Sequence, residues 1–197
     1  MHAASLPDVG TDMVRPDLEG LPDFELPRSY SIRAWRPGDM ETWTRLQRAA
    51  EKQIEITDGL FREQFGGDDA AIAARQLFLC DAGGRAVGTG TAWFDEERFG
   101  ERWGQVHWMA VVPGQQGRGL GRTLLAAVCR RLREAGHRRA FLITSTGRLP
   151  AIRLYLRFGF RPAPRDEAGR EAWRALARHL AASGVEHESL AEYREEP

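Results

Sequence analysis

The spacing of hydrophobic positions changes several times along the chain, and each change predicts a different element. Apolar and polar residues alternate from Tyr30 to Trp35, as in a half-buried strand. After a turn at Pro37, the pattern predicts a helix from Asp39 to about Gln53, with Asp39 as its N-cap. The buried face of this helix carries apolar residues three and four positions apart, namely Trp43, Leu46, Ala50 and Ile54.

The middle of the chain alternates between short helices and apolar strands. The predicted elements are helical segments over 59–65 and 68–75, strands over 76–80, 86–94 and 105–112, and a helix that ends at Gly136. The turn residues Asp81–Gly84 join the first two strands as a hairpin. The strand over 105–112 is continuously apolar enough to be a central strand.

The last third of the chain predicts the remaining elements. They are a strand over 140–144, a short helix over 151–158, an extended piece at Phe160 and an amphipathic helix over 166–182. This order of elements predicts an α/β fold, in which one mixed, mostly antiparallel sheet of about six strands is flanked by helices. We expect an irregular or partly disordered N-terminal arm over 1–28, a folded domain over 29–165, and a C-terminal helix and polar tail over 166–197.

Composition and charge narrow the classes of function. The 28 basic residues balance the 28 acidic ones, so no net field favours nucleic acid or an anionic membrane, and we expect neither as a partner. Cys80 and Cys129 lie in apolar sequence without CxxC spacing, which indicates reduced core cysteines and no metal site. We see no apolar run of membrane-spanning length and no charged-then-apolar leader, so we expect a cytoplasmic protein.

Four glycines stand between a predicted strand and a predicted helix in the stretch VVPGQQGRGLGRTLL, which starts at Val111. Backbone N–H groups at such a helix start are unpaired and lie at the positive end of the helix dipole, so an anion is the natural ligand. The dinucleotide pattern GxGxxG fails because Arg122 or Leu124 stands where its third glycine belongs. The P-loop pattern GxxxxGK[ST] fails because Gln116 replaces its first glycine and Arg122 its lysine.

Two other motifs fit at every position. Residues 116–121 read QGRGLG, which satisfies Q/R-x-x-G-x-G/A, and residues 151–160 read AIRLYLRFGF, which satisfies A-x-x-L-Y-x-x-x-G-F. On these motifs the chain resembles the GCN5-related N-acetyltransferase (GNAT) superfamily over roughly residues 30–162. The resemblance implies a GNAT-like three-layer sandwich. It also implies acetyl-CoA as co-substrate without a metal, and transfer of its acetyl group to a primary amine of a small molecule or peptide.

The resemblance also implies where coenzyme A binds. A bulge would splay the central strand, so that the backbone of Met109, Ala110 and Val111 pairs with the pantetheine arm. The pyrophosphate would lie on the amides of the glycine-rich loop, namely Gln116, Gly117, Arg118, Gly119, Leu120 and Gly121. Arg118 and Arg122 either add charge toward the phosphates or belong to a solvated helix face.

Two side chains are the candidates for proton transfer. Tyr155 matches the family's tyrosine and, with an ordinary pKa of about 10, suits protonation of the leaving thiolate; its structural alternative is simple packing. Gln105 stands where histone-modifying members carry a glutamate, and a glutamine cannot act as a base. His107 lies two residues on, on the same side of the strand, and aligns with a histidine of arylalkylamine acetyltransferases. It is either the base or a core histidine, with a base acting through water elsewhere.

The acceptor loops and the end of the sheet leave alternatives open. Carboxylates beside aromatics in these loops suit a cationic amine, although acidic surface loops are common; the residues are Glu55, Asp58, Trp93, Asp95, Glu96 and Glu97. The family's usual final β-hairpin is not predicted, because the prolines of residues 161–164 discourage a strand. Either the last helix covers the sheet edge or a second copy completes it as a homodimer. An acyl-CoA-binding module without transferase activity remains the alternative function, and a P-loop-type nucleotide binder is the other class kept open.

Overall fold

The computed structural model describes residues 6–194, which form two compact units. The central unit comprises residues 18–138, and the terminal unit combines residues 6–17 with residues 139–194. In chain order the strands are β1 (Gly10–Arg15), β2 (Ser31–Ala34), β3 (Gln76–Cys80), β4 (Ala86–Asp95), β5 (Trp103–Val111), β6 (Ala140–Ser145) and β7 (Arg161–Pro162). The helices are α1 (Asp39–Ala50), α2 (Leu60–Phe65), α3 (Asp69–Arg75), α4 (Leu120–Glu134), α5 (Leu149–Arg157) and α6 (Glu167–Ala182).

The central unit is built on the antiparallel sheet β2-β3-β4-β5. Helix α4 packs on β4 and β5 because its apolar residues recur every four positions and are all buried, namely Leu120, Leu124, Val128 and Leu132. Gly136, with φ 86°, adopts the left-handed conformation that ends this helix. A second apolar cluster gathers the rings of Trp43, Phe61 and Phe65 from α1 and α2.

Two expectations for α1 are corrected by the structure. The N-cap is Gly38 rather than Asp39, and it makes no side-chain capping bond. Asp39 instead begins the helix, accepts the Arg36 N–H at 2.7 Å and pairs with Arg33 at 2.5 and 2.8 Å. Although burial raises the pKa of Asp39, these hydrogen bonds hold it below its usual value. Because α1 ends at Ala50, Ile54 is not on its buried face and is 51% exposed.

The terminal unit contains a strand within the segment expected to be irregular. β1 pairs antiparallel with β6, from Gly10 opposite Ser145 to Arg15 opposite Ala140, and its other edge pairs with β7. The guanidinium of Arg15 is buried and donates to the Phe158 carbonyl. Residues 1–5 of the arm and residues 195–197 of the tail lie outside the described residues.

The third strand of the terminal unit explains the absence of a final hairpin. β7 is only two residues long, as its proline-rich sequence predicts, and β1 lies between it and β6. Helix α6 belongs to the same unit, where the Trp173 Nε1 donates to the Thr11 Oγ1 at 2.8 Å. A strand of the same chain therefore fills the place for which a second copy had been considered.

The structure confirms an α/β fold with mostly antiparallel strands flanked by helices. Residues 6–194 contain seven strands rather than about six, because β1 was not predicted. Cys80 and Cys129 are buried in the core, as expected, and no disulfide joins them within residues 6–194. No helix within residues 6–194 is long and apolar enough to cross a membrane.

Replacement of Met13 by alanine tests whether β1 is an integral strand. Met13 lies in β1 and is fully buried, so we expect Met13→Ala to lower the free energy of unfolding by about 2–5 kcal/mol. Glu25→Ala, at an exposed position of the same predicted arm, should change it by less than about 0.5 kcal/mol. Chemical denaturation measures the free energy of unfolding of both variants. A loss for Met13→Ala as small as that for Glu25→Ala would mean that β1 does not contribute to the stability of the folded state.

Candidate active site

The backbone between β5 and α4 leaves amide groups without partners. A short 3-10 turn, Pro113–Gln115, follows β5, and Gly119 is the N-cap of α4 without any side-chain capping bond. The first helical bond runs from the Thr123 N–H to the Gly119 carbonyl at 3.5 Å. The N–H groups of Leu120, Gly121 and Arg122 therefore have no partner within the helix and are available to an anion.

Two glycines give this loop its shape. Gly117 has φ 76° and Gly119 has φ 78°, in the left-handed region that side chains other than glycine rarely adopt. A Cβ at Gly117 would meet nothing within 4 Å, and the atoms nearest to one at Gly119 belong to the guanidinium end of Arg122, at 3.0 Å. Open space in front of unpaired amides fits the diphosphate of coenzyme A. Gly114 has no positive φ and open space around it, so it serves only the preceding turn.

The two arginines of the loop differ from those farther along α4. Arg118 is exposed, and the guanidinium of Arg122 lies 5.0 Å from the centre of the Phe24 ring. Neither forms an ion pair within residues 6–194. The later arginines do form such pairs, which are Arg130–Asp23 at 2.9 Å and Arg131–Glu134 at 3.2 Å. The charges of Arg118 and Arg122 are therefore not compensated by carboxylates of the described chain.

Side chains that the sequence analysis did not assign hold the loop in place. The Gln116 Nε2 donates to the Val111 carbonyl at 2.8 Å, so this side chain ties the loop to the end of β5. The Tyr30 hydroxyl donates to the Gln115 Oε1 at 2.7 Å. Gln116 thus has a structural role. Its own N–H donates to the Pro113 carbonyl at 3.2 Å, so, contrary to the expectation from the motif, this amide is already paired.

A bulge interrupts β5 immediately before the backbone predicted to bind pantetheine. Thr91 of β4 lies opposite His107 and Thr89 opposite Ala110, so β5 carries one extra residue between these pairs. Trp108 lies within this bulge and has a φ of 47°. For a bulky side chain this backbone conformation is strained and costs roughly 1–3 kcal/mol. The implied bulge is therefore present, just before Met109.

Glycines of β4 allow the bulged strand to approach closely. A Cβ at Gly88 would lie 2.9 Å from the Ala110 carbonyl oxygen, and one at Gly90 would lie 3.0 Å from side-chain carbons of Met109 and Val128. The first distance is shorter than a Cβ tolerates against backbone, and the second would require the two side chains to shift by a few tenths of an ångström. The sequence Gly88-Thr89-Gly90 is therefore matched to the shape of β5 and α4.

His107 lies in an aromatic environment on the α2 side of β5. Its ring is 5.5 Å from that of Phe65, edge to face, and 6.1 Å from that of Trp108. Removal from water lowers the pKa of His107 to about 4. Within residues 6–194 no hydrogen bond involves its ring nitrogens. The imidazole is therefore neutral at pH 7 and has a lone pair free to accept a proton.

Tyr155 lies in the terminal unit, on α5. Ile152 and Leu156 bury one side of this helix, and Tyr155 is half-buried with its ring 6.1 Å from that of Phe160, edge to face. Phe160, which belongs to the same motif, thus packs against the Tyr155 ring. The predicted donor residues Met109–Arg122 and His107 belong to the central unit, so the structure places the predicted catalytic residues in different units.

Most of the carboxylates expected to attract an amine already have partners. Asp58 pairs with Arg48 at 2.9 Å, and Asp95 accepts the N–H groups that shape its own loop. Glu96 lies 3.6 Å from Arg102. Trp93, by contrast, stands edge to face with Phe65 at 5.4 Å and joins the aromatic surface beside His107. The acceptor side of the central unit is thus more aromatic than acidic.

Other candidate sites in the described chain are few. Within residues 6–194 no group of three or more His, Cys, Asp or Glu side chains could hold a metal ion. A cavity of about 450 Å³ lies beside α4 and is lined by Phe24, Leu26, Leu77 and Thr123 among others. None of the predicted site residues lines it.

Comparison with known proteins identifies the family. The profile of the acetyltransferase (GNAT) family matches residues 32–160, which is more than half of the chain. The chain belongs to this family. The match agrees with the extent of the resemblance that the two motifs indicated.

Curated relatives of the chain include mycothiol acetyltransferases. The protein of Arthrobacter sp. (strain FB24) is 32% identical over 145 residues, which cover 71% of this chain and 45% of the relative. The protein of Pseudarthrobacter chlorophenolicus is 33% identical over 147 residues, with the same coverage of both chains. The chain therefore spans about half the length of the curated relatives it matches.

Solved structures support the fold. A GCN5-related N-acetyltransferase from Sphaerobacter thermophilus aligns with a TM-score of 0.63 at 23% identity, covering 79% of this chain and 48% of the other. The ribosomal-protein-S18-alanine N-acetyltransferase from Escherichia coli aligns with a TM-score of 0.55 at 20% identity, covering 68% and 79%. At these identities the likeness concerns the fold alone.

The buried environment of His107 predicts a low pKa for its imidazole, which can be tested by titration. We expect its imidazole to titrate by NMR near pH 4, well below the reference value of about 6.5. Between these two pH values the unfolded chain binds a proton that the folded chain does not, so the free energy of unfolding should fall as the pH is lowered from 6.5 toward 4.

The His107→Gln variant is the control for this titration. It should show a flatter dependence of stability on pH over that window, because its side chain does not titrate. A measured pKa near 6.5 for the wild-type imidazole would contradict the desolvated environment.

Proposed function

We propose that the protein is an N-acetyltransferase that moves the acetyl group of acetyl-CoA to a primary amine. One observation carries the proposal. A loop with two left-handed glycines and unpaired amides directly follows a bulged strand, in a chain of the GNAT family. The backbone of Met109–Val111 would bind pantetheine. The amides of residues 117–121 would bind the pyrophosphate, whereas the Gln116 N–H is already bonded to the Pro113 carbonyl. Arg118 and Arg122, which lack carboxylate partners within residues 6–194, would add charge toward the phosphates.

The reaction is a direct transfer. The amine nitrogen attacks the thioester carbonyl, a C–N bond forms, and collapse of the adduct breaks the C–S bond. The Val111 N–H is the proposed donor to the developing oxyanion. One proton leaves the nitrogen for a base, and one reaches the departing thiolate from an acid, so that an amide and free coenzyme A result.

We assign the base to His107, and its low pKa limits which proton it takes. An alkyl ammonium ion with a pKa near 10 lies about 6 units above an imidazole at about 4, so direct transfer would cost about 8 kcal/mol. The nitrogen of the adduct is far more acidic than the free ammonium ion. His107 therefore receives its proton after attack, from an amine that enters the aromatic surface uncharged.

Tyr155 is the proposed acid. Its position in the second motif supports this assignment, and a phenol hydroxyl can donate its proton to the departing thiolate. No metal takes part in the scheme.

For the acceptor we propose a small-molecule amine. The curated relatives are named for mycothiol, a small molecule, and the wall beside His107 offers Phe65 and Trp93 rather than free carboxylates. A peptide amine is the second candidate within the same chemistry. We place the reaction in the cytoplasm, where acetyl-CoA is available, and a homodimer is not needed to complete the terminal unit because β1 lies between β6 and β7.

Substitution in the glycine-rich loop tests donor binding. Gly119→Ala forces a side chain into the left-handed region and against the guanidinium of Arg122, which should distort the loop, so we expect the affinity for coenzyme A to fall by more than about tenfold. Gly114→Ala is the matched control, because a Cβ there meets open space without a positive φ. Isothermal titration calorimetry measures both. Unchanged affinity in Gly119→Ala would exclude the loop as the diphosphate site.

Substitution of the two proton-transfer candidates tests catalysis. We expect Tyr155→Phe and His107→Gln each to lower kcat by about a hundredfold or more while the affinity for acetyl-CoA stays within about twofold. Free-thiol detection with a panel of small amines and peptide N-termini gives the rates. If the wild type binds acetyl-CoA but acetylates no amine, and the variants behave identically, the alternative of an acyl-CoA-binding module is correct.

A further inference from the structure

We propose that Gln47 and Gln64 are positioning residues of the donor site, which hold the bulge at Trp108 and thereby fix the backbone of Met109–Val111. We call these two side chains the glutamine clamp. Their effect on acetyl-CoA rests on the proposed function. The clamp itself is a property of the free protein.

The first half of the clamp acts on the main chain. The Gln47 Nε2 donates to the Trp108 carbonyl oxygen at 2.9 Å. A bulged residue loses its regular ladder partner, so its carbonyl needs another donor when it is shielded from water. Gln47 is only 2% exposed and lies next to Leu46 on the buried face of α1. A primary amide is unfavourable at such a position unless it is hydrogen-bonded, and here the bulge supplies the partner.

The second half of the clamp acts on the side chain of the same residue. The Trp108 Nε1 donates to the Gln64 Oε1 of α2 at 2.9 Å. The indole also meets the ring of Trp43 of α1 edge to face at 5.3 Å. Two helices therefore fix one residue through separate atoms. A non-glycine residue at φ 47° persists only where its surroundings determine its conformation in this way.

The clamp decides which way the following residues face. If Trp108 relaxed to an ordinary extended conformation, the extra residue would be absorbed and the pairing beyond it would shift by one position. Such a shift by one residue reverses the alternation along a strand. The backbone N–H and C=O groups of Met109, Ala110 and Val111 would then point to the opposite edge of the strand. The backbone assigned to pantetheine is thus available only while the bulge is held.

Isosteric variants remove the hydrogen bonds without changing the packing much. Gln47→Met and Gln64→Met keep the length of the side chains and lose the amide groups. Thr44→Val is the matched control, since Thr44 is also buried on α1 and its hydroxyl bonds only to Met40 of its own helix, at 3.0 Å. The readouts are hydrogen–deuterium exchange of the free protein over residues 105–112, calorimetry with coenzyme A, and steady-state kinetics.

We expect both glutamine variants to exchange the amides over 105–112 about tenfold faster than the wild type. The dissociation constant for coenzyme A and the KM for acetyl-CoA should rise by about tenfold, with the KM for the amine unchanged. A role in stability alone would lower the active fraction, and so kcat, without moving the KM for acetyl-CoA. Thr44→Val should leave exchange and affinity unchanged.

The outcomes separate the clamp from the proposed function. Wild-type exchange rates in both glutamine variants overturn the clamp, and faster exchange with unchanged affinity overturns its role in donor binding. If the wild type does not bind coenzyme A, the proposed function fails and the role in donor binding fails with it, while the exchange data still decide whether the bulge is held. If Gln47→Met does not fold, the half-buried Gln64→Met decides the outcome.

Discussion

The single residue inserted into β5 is the constraint on which the rest of the central unit depends. A regular antiparallel ladder would use the backbone groups of both strands, and the bulge at Trp108 interrupts that ladder. Keeping the bulge requires a strained φ, close approach at Gly88 and Gly90, and hydrogen bonds from two helices. Stability is thus given up at one residue so that main-chain groups remain available for a ligand.

The environment of His107 shows a similar compromise. The aromatic rings around it lower its affinity for protons and keep it neutral, which prepares it to accept a proton but limits how strongly it can hold one. An uncharged amine is the form that both attacks a thioester and enters an aromatic surface without a large desolvation penalty. The local polarity and the proposed chemistry therefore favour the same protonation state of the proposed acceptor.

The sequence predicted most elements within a few residues, because strands and helices such as β3 and α4 carry strong apolar periodicity and clear glycine stops. It missed β1, whose six residues are flanked by prolines and glycines and pair with residues far along the chain. The glycine-rich loop was predictable from a motif that encodes backbone geometry. Gln47 could have been noticed as a polar residue on an apolar helix face, but its partner is a carbonyl at a bulge that no local pattern locates.

The position of β1 has a consequence for how the chain reaches its folded state. The Val9 N–H bonds to the Thr146 Oγ1, and these residues are 137 positions apart. The residues of the central unit, 18–138, all lie between β1 and β6 in the sequence. This unit can therefore form during synthesis while β1 still lacks its strand partners. The terminal unit must wait for β6 and β7, and closing so long a loop is slow compared with local pairing. During synthesis the N-terminal strand therefore stays without its strand partners until β6 and β7 have been made.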